Sequence, residues 1–382
     1  MSEVLDFDVW GKVEPEPIYV HTSDRVLYKR CRRMWSFFSS TRQGLMVADA
    51  EENINLWLGT ALHFALEDYH GYNKFGDPVR ALEAFYDCWP EDKRPIAADE
   101  GFVTLIHMME HYRTNWLPQR NNYHTLWIDG VPQVEVPFEL LLPPEICPGR
   151  PVIYRGTLDR VVVDPMGQLW VEDYKTARSI DIKRPANDPQ LRAYVWAAEQ
   201  HYQRPFAGGL MLQLLKDHPD PVRMLVSGEF SVDKRQKTTY AIFRRQLIDK
   251  YGEKLERVPG KYLEFLTSLA ESETVEGDRF IRWDEIPMNR AVKLSTYEQI
   301  YDEAVEMCNP NLPLYPNQTR DCSWECKIRT ICIAMDTGED WREIVRQTLC
   351  AKVDDKQWRQ RVRWPEQPQI KLEVPLLEGP VS

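Results

Sequence analysis

Two short apolar runs on either side of a turn sequence constrain the fold of this chain more than any other feature. The runs occupy residues 161–163 and 169–171, and Pro165 and Gly167 lie between them. This pattern predicts an antiparallel β-hairpin. Asp159 precedes the first run and Asp173 follows the second, so the two carboxylates should lie side by side at the open end of the hairpin.

The open end of this hairpin has the residue types of a divalent-metal site. Lys175 is two residues beyond Asp173, so both side chains are predicted on one face of the strand. Mg²⁺ and Mn²⁺ take oxygen ligands such as paired carboxylates, and an ammonium group nearby can stabilise charge that develops on a substrate. The alternative is a plain hairpin with exposed acidic ends and a solvated lysine.

The sequence resembles the RecB-type nucleases of the PD-(D/E)XK superfamily. The resemblance rests on four segments, which are GTALH (59–63), GTLDRV (156–161), VEDYKT (171–176) and QLRAY (190–194). With the cysteines described below, it looks like the iron–sulfur variant of this family, as in AddB-type and CRISPR-adaptation nucleases. The motifs follow one another in the family's order over residues 20–335.

This resemblance implies a fold and a set of active-site roles. The expected fold class is α/β, a restriction-endonuclease-like core with a mixed central sheet flanked by helices, helical insertions and a cysteine-bound metal centre. Asp159, Asp173, His63 and the backbone carbonyl of Tyr174 would hold Mg²⁺ or Mn²⁺, and Lys175 would act on the attacking water or the phosphate. Gln190 and Tyr194, one helical turn apart, would lie against the active site and the DNA.

Two further side chains have competing interpretations. His63 lies in a predicted helix over residues 54–70, where a histidine is more often structural; the family match favours a metal ligand. Glu135 alternates with apolar residues on a predicted strand just before the hairpin. We expect its carboxylate to face outward rather than into the site.

Three closely spaced cysteines near the end of the chain predict a second metal centre. Cys322, Cys326 and Cys332 can surround one soft metal, and the family pattern supplies Cys31 as the fourth thiolate. A [4Fe–4S] cluster and Zn²⁺ are both compatible with four thiolates, and three residues between the first two cysteines, where the family has two, keep zinc open. Cys308 and Cys350 are alternative fourth ligands.

Composition and length set the remaining expectations. Eight cysteines without a recognisable signal peptide favour a reducing compartment, and no apolar run is long enough for a bilayer, so we expect a cytoplasmic protein of a bacterial or phage-infected cell. A net charge of −11 argues against a broadly basic surface but permits a local basic groove.

We expect one nuclease domain over residues 21–352. Its parts are a lead-in over 1–20, helical regions over 21–120 and 232–306, a core over 124–230, including a strand over 224–230, a cysteine-rich segment over 315–335 and a flexible tail over 353–382.

The sequence thus predicts a metal-dependent DNA exonuclease that acts on single-stranded ends, in recombination, repair or phage DNA processing. The competing hypothesis is a non-catalytic nucleic-acid-binding or assembly subunit of a recombination or CRISPR-adaptation complex. A helicase or an integrase is a possible partner in either case.

Overall fold

The computed structural model describes residues 16–48, 53–119, 122–183, 185–254, 257–273, 277–324, 326–351 and 371–373 of the 382-residue chain. All structural statements below concern these ranges. Within them, no helix is both long and apolar enough to cross a membrane.

The described helices precede, follow and interrupt the strands. They are α1 Thr22–Arg30, α2 Arg32–Phe38, α3 Ile54–His70, α4 Pro78–Cys88, α5 Ala98–His111, α6 Pro189–Tyr202, α7 Tyr240–Tyr251, α8 Gly260–Ser272, α9 Arg290–Cys308, α10 Arg329–Thr337 and α11 Trp341–Thr348.

The described strands are mostly found in the middle of the chain. They are β1 Ile18–His21, β2 Leu45–Val47, β3 His124–Thr125, β4 Trp127–Ile128, β5 Val131–Pro132, β6 Val134–Leu141, β7 Val152–Val163, β8 Leu169–Ala177, β9 Phe206–Leu215, β10 Ile281–Pro287, β11 Leu349–Ala351 and β12 Lys371–Glu373.

A mixed sheet forms the centre of the molecule, in the order β10-β9-β8-β7-β6-β12. The β6–β7–β8 meander is antiparallel, whereas β8 and β9 are parallel because α6 connects them. Strand β7 is long enough to pair also with β1 and β3. The predicted mixed sheet flanked by helices is therefore confirmed.

Two apolar cores cover the two faces of this sheet. Helices α6 and α9 pack on one face, where Leu191 and Ile300 are fully buried. Helices α3, α4 and α5 pack on the other face through residues such as Leu62 and Phe85. Since side chains alternate along β8, this arrangement directs odd-numbered residues toward α6 and even-numbered residues toward α3.

A close approach between α6 and the sheet depends on Gly209. A Cβ atom at this position would lie 2.6 Å from Leu191 Cγ, well inside van der Waals contact. Leu191 begins the buried face of α6, next to Gln190. A glycine at position 209 therefore lets α6 lie close enough to the sheet for Gln190 to reach β8.

Residues 216–280 form an insertion between β9 and β10 with its own small apolar core. Phe243 and Leu247 of α7 pack there against Tyr262 and Phe265 of α8. The insertion begins at the end of β9, close to Lys175, because Lys175 is paired with Gln213 near that end.

Several local predictions differ from the structure. Residues 224–230 form a turn closed by one isolated Met224–Phe230 bridge, not a strand, and only Phe230 among them is buried, in the core of the insertion. The predicted helical region 232–306 contains β10, which pairs with β9. Within the predicted tail, Lys371–Glu373 form a short strand beside β6, and the rest of that tail lies outside the described residues.

Candidate active site

Three potential metal ligands from different elements meet at one point. They are His63 from α3, Glu135 from β6 and Asp159 from β7, whose ligand atoms all lie within 4.8 Å of one another. His63 Nδ1 is 3.2 Å from Glu135 Oε1 and 3.6 Å from Asp159 Oδ1. Among the described residues this is the only such group of three or more histidine, cysteine or acidic side chains.

The hairpin positions Asp159 as its sequence predicts. Strands β7 and β8 pair from Val163–Leu169 to Arg160–Glu172, and continuing this register sets Asp159 opposite Asp173. Asp159 Oδ2 accepts a hydrogen bond of 2.8 Å from the backbone N–H of Tyr174. This bond fixes the carboxylate against the neighbouring strand and leaves Oδ1 directed at His63.

Glu135 belongs to the site, and the expectation of an outward-facing carboxylate was wrong. The pairs Val134–Arg160 and Val136–Leu158 flank it in the register of β6 on β7. Its φ of +46° is in the left-handed region that non-glycine residues rarely adopt. This backbone conformation turns the carboxylate toward His63, and strain of this kind often occurs at functional sites.

The pKa values of both His63 and Asp159 are raised in this group. Burial alone would lower the pKa of His63, but the charges of Asp159 and Glu135 raise it to about 9. Burial raises the pKa of Asp159 to about 7, assisted by repulsion from Asp173 and Glu135. Both shifts favour the protonated forms, so the site has an excess of negative charge that a cation would relieve.

Asp173 and Lys175 lie together on the α6 side of β8. Lys175 Nζ is 3.0 Å from Asp173 Oδ1 and 2.8 Å from Asp173 Oδ2. The ammonium group also donates to Gln190 Oε1 at 3.2 Å, and Gln190 Nε2 donates to the Tyr194 hydroxyl at 2.9 Å. The predicted residues Asp173, Lys175, Gln190 and Tyr194 therefore form one chain of contacts.

A buried polar network supports the site from the α3 side of the same strand. Arg160 donates to Glu172 Oε2 at 2.8 Å, and both side chains are nearly inaccessible to solvent. The Tyr174 hydroxyl and the Trp283 indole N–H also donate to Glu172. Because the charges are paired and hydrogen-bonded, this network can hold Tyr174 in place without leaving an isolated buried ion.

The donor set fits a hard or borderline divalent cation. It offers one imidazole nitrogen and several carboxylate oxygens, and the Tyr174 carbonyl oxygen lies 3.3 Å from His63 Nε2. Asp173 Oδ2 is buried and, although close to Lys175, makes no hydrogen bond of acceptable geometry. Carboxylate, carbonyl and imidazole groups together suit Mn²⁺ or Mg²⁺.

The four predicted cluster cysteines belong to another part of the fold, and among the described residues no three of their sulfur atoms lie within 4.8 Å of one another. Cys31 separates α1 from α2 and, like Cys326, packs against a small apolar core around Ile328 and Ile331. Arg33 donates to Cys332 Sγ at 3.1 Å, and Cys31 lies close enough to contribute to the raised pKa of the Cys332 thiol, which burial mainly causes.

Cys322 connects to the same region through an asparagine. Its thiol contacts the Asn317 carbonyl at 3.7 Å, and the Asn317 amide donates to the Lys29 carbonyl, two residues before Cys31.

Of the two alternative cysteine ligands, Cys350 follows Leu349, a residue of the small core around Ile328 and Ile331. Cys308 packs with Cys147 against the core on the α6 side of the sheet. Cys350 is exposed on β11, opposite Met46.

Comparisons with known proteins identify the family. Among curated proteins, no sequence matches this chain. One similar solved structure, titled "Crystal structure of SSO0001", is 13% identical over 84% of this chain and 88% of that chain, with a TM-score of 0.31, too low to support an argument. The sequence model of the PD-(D/E)XK nuclease superfamily matches residues 23–333, most of the chain and all of the site described above. The chain belongs to the PD-(D/E)XK nuclease superfamily.

Proposed function

We propose that this protein is a divalent-metal-dependent DNA exonuclease that acts on single-stranded ends. Members of the superfamily are typically metal-dependent nucleases. The observation that carries the proposal is the position of the Lys175 ammonium group, which lies between Asp173 and Gln190 on the strand that borders the His63–Glu135–Asp159 group. The preference for single-stranded ends rests on the RecB-type motifs.

His63, Glu135 and Asp159 would hold Mg²⁺ or Mn²⁺, with Asp173 and the Tyr174 carbonyl as further oxygen donors. A bound ion of this kind lowers the pKa of a coordinated water and polarises a phosphodiester. Asp173 keeps the Lys175 ammonium group charged, because its carboxylate, together with Asp159, raises the lysine's pKa against the effect of burial. That charge can orient the water or stabilise negative charge on the phosphate oxygens.

Gln190 and Tyr194 act on this lysine from α6. Gln190 accepts a hydrogen bond from the ammonium group and donates one to Tyr194, so the helix limits the lysine to one orientation. Tyr194 is nearly buried, and its ring packs edge-on against Phe138. We assign Gln190 and Tyr194 the task of positioning Lys175.

We further propose that Cys31, Cys322, Cys326 and Cys332 bind a [4Fe–4S] cluster, with Zn²⁺ as the alternative. The support is the shared neighbourhood of α1, α2 and the segment before α10, together with Arg33, whose charge beside Cys332 would offset an anionic cluster. Its role would be to join the N-terminal helices to the C-terminal segment. Anaerobic purification with absorption spectroscopy and metal analysis separates iron from zinc.

Recombination, repair or phage DNA processing, with a helicase or integrase partner, is the proposed setting. Pull-down of such a partner from the source cell would distinguish a subunit of a complex from a stand-alone enzyme.

Digestion of labelled oligonucleotides tests the activity. Single strands labelled at the 5′ or at the 3′ end are incubated with Mn²⁺. Digestion from one end should leave one label on progressively shorter strands and release the other label on short products. Circular single-stranded DNA should resist. EDTA should stop the reaction. Cleavage of the circle would make the enzyme an endonuclease. DNA binding without any metal-dependent cleavage would overturn the proposal in favour of a non-catalytic subunit.

A further inference from the structure

Two basic residues follow directly after the ends of β8, which carries Asp173 and Lys175, and its neighbour β9. Strands β8 and β9 end with the pair Ala177–Leu215, and the next residues are Arg178 and Lys216. The Lys216 N–H bonds the Ala177 carbonyl at 2.8 Å, which continues the strand pairing by one step. Both basic residues therefore leave the sheet at the same end of these two strands. Arg178 lies three residues past Lys175, and Lys216 lies three residues past its partner Gln213.

These two charges lack carboxylate partners in the described part of the chain. Lys216 Nζ donates to the neutral Asn55 Oδ1 at 2.7 Å, and no ion pair of either basic residue is present there. Burial and the nearby charge of Arg178 lower the pKa of Lys216. Two adjacent cations without a counter-ion repel each other, and a bound anion would remove this repulsion.

The position of the pair relates it to the metal-binding residues. Asn55 lies eight residues before His63 on α3, or about 12 Å along the helix axis. Arg178 lies three residues after Lys175, or about 10 Å along an extended strand. Both distances place the basic pair near the site but too far away to contact the phosphate that Lys175 would contact.

Leu56 adds an exposed apolar surface at the start of α3, the helix whose Asn55 contacts Lys216. It follows Asn55 on the first turn of α3, and its side chain is 65% exposed. Positive charge together with exposed apolar surface suits a single nucleic-acid strand, which presents phosphates and unpaired bases at once. Duplex DNA, with its bases stacked inside, would leave the leucine without a partner.

We propose that Arg178 and Lys216, of which Lys216 is held by Asn55, bind a second, non-scissile phosphate of the single strand whose end lies in the active site. This inference rests on the proposed nuclease function and adds a binding site to it. The pair positions a longer strand and takes no part in bond cleavage. Its contribution therefore depends on the length of the substrate.

A double variant, Arg178→Gln with Lys216→Gln, tests this site. For a (dT)20 strand we expect KM to rise about tenfold with kcat little changed, since both cationic contacts to that phosphate are lost. The slope of log binding constant against log salt, measured by fluorescence anisotropy in EDTA, should fall by about 0.7, the value for one neutralised phosphate on a single strand. On bis(p-nitrophenyl) phosphate, which has a single phosphodiester, the rate of the variant should fall by less than about twofold.

A matched control removes the same charge elsewhere. Arg204→Gln with Arg290→Gln replaces two exposed arginines that make no side-chain ion pair among the described residues. This control should keep the parental KM and salt slope. Melting curves of all variants establish that each is folded.

The outcomes separate this inference from the nuclease proposal. If the parent cleaves (dT)20 and the Arg178/Lys216 variant matches it in KM and salt slope, the second phosphate site is wrong and the nuclease proposal stands. An equal loss on the single diester and on (dT)20 would also contradict the site, because the pair would then act at the scissile phosphate. If the parent cleaves neither substrate, the nuclease proposal itself fails.

Discussion

The metal-ligand group around Asp159 and the cysteine-rich segment are built in opposite ways. In the first, the side chains project from neighbouring strands and a long helix, and Asp159 and Asp173 are buried. In the second, the thiols are only partly buried and lie within or between short helices and turns. The first site is positioned by the register of the sheet, whereas the second depends on local loops that a bound centre would have to hold together.

This difference leads to opposite expectations for metal removal. Loss of the active-site ion should stop catalysis while the sheet keeps the ligands in place. Loss of the cysteine-bound centre should weaken the fold while the catalytic side chains remain intact. The predictions that follow test this contrast, beginning with the largest effect.

Lys175→Ala should reduce kcat by at least about 100-fold, because it removes a preorganised charge near the reacting phosphate. Rates on a labelled single strand with Mn²⁺ measure the effect. Lys254→Ala, which removes an exposed lysine of the insertion, should match the parent. Since the alanine leaves Asp173 buried without its ion pair, Lys175→Gln serves as a second variant. Parental rates in both folded variants would show that this lysine is not catalytic.

Cys326→Ser should lower the melting temperature far more than leaving Mn²⁺ and Mg²⁺ out of the buffer does. A structural metal centre contributes directly to the free energy of folding, and each kcal/mol lost moves the melting temperature by about 2–4 °C in domains of 150–250 residues. Differential scanning calorimetry of anaerobically purified protein measures both effects.

Cys88→Ser, at the end of α4 and remote in sequence from the three late cysteines, is the matched control for the thiol variant. If Cys326→Ser and Cys88→Ser melt alike and contain the same amount of iron or zinc, the four-cysteine centre is wrong.

Glu135→Gln should weaken Mn²⁺ binding by about 10–100-fold, the range found for side chains that support a metal site. The amide keeps the size of the side chain but removes its charge beside His63. Activity at increasing Mn²⁺ should then approach the parental kcat at saturation. Glu110→Gln, on the exposed side of α5, provides the control. An unchanged Mn²⁺ requirement in Glu135→Gln would remove this residue from the site.

The affinity for Mn²⁺ should rise as the pH rises from about 6 to about 9. His63 and Asp159 have pKa values raised to about 9 and about 7, so each holds a proton that a metal ion must displace. Calorimetric titrations in two buffers of different ionisation enthalpy should reveal proton release. Binding without proton release at neutral pH would contradict these assignments.

The smallest expected effect is the pH dependence of the stability of the metal-free protein, and the same pKa shifts determine its sign. Both folded-state pKa values exceed the ordinary values of 6.5 and 3.8, so both groups stabilise the metal-free fold at low pH. This contribution is lost as the pH rises through about 4–7 for Asp159 and about 6.5–9 for His63. Asp159→Asn should flatten the acid part of that dependence in urea unfolding curves.

Sequence periodicity was sufficient for the parts of the site that obey it. The strand period of two placed Asp173 and Lys175 on one face, and helical spacing placed Gln190 beside Tyr194. The mixed sheet followed from the order of strands and helices. The metal and cluster assignments made from the sequence stay predictions.

Glu135 was missed because its direction depends on one unusual backbone angle rather than on alternation. An L-residue in the left-handed region leaves no trace in composition or pattern. Strand β10 was missed because its neighbours α8 and α9 suggested a continuous helical region, although its sequence IRWDEIP alternates as an edge strand does.

The most direct test of the account is anomalous diffraction at the manganese edge from crystals grown with Mn²⁺. We expect a peak bounded by His63, Glu135 and Asp159, with Lys175 still paired to Asp173 nearby. An absence of any peak there at saturating Mn²⁺, or a peak only at another site, would contradict the claim that these side chains hold the catalytic metal.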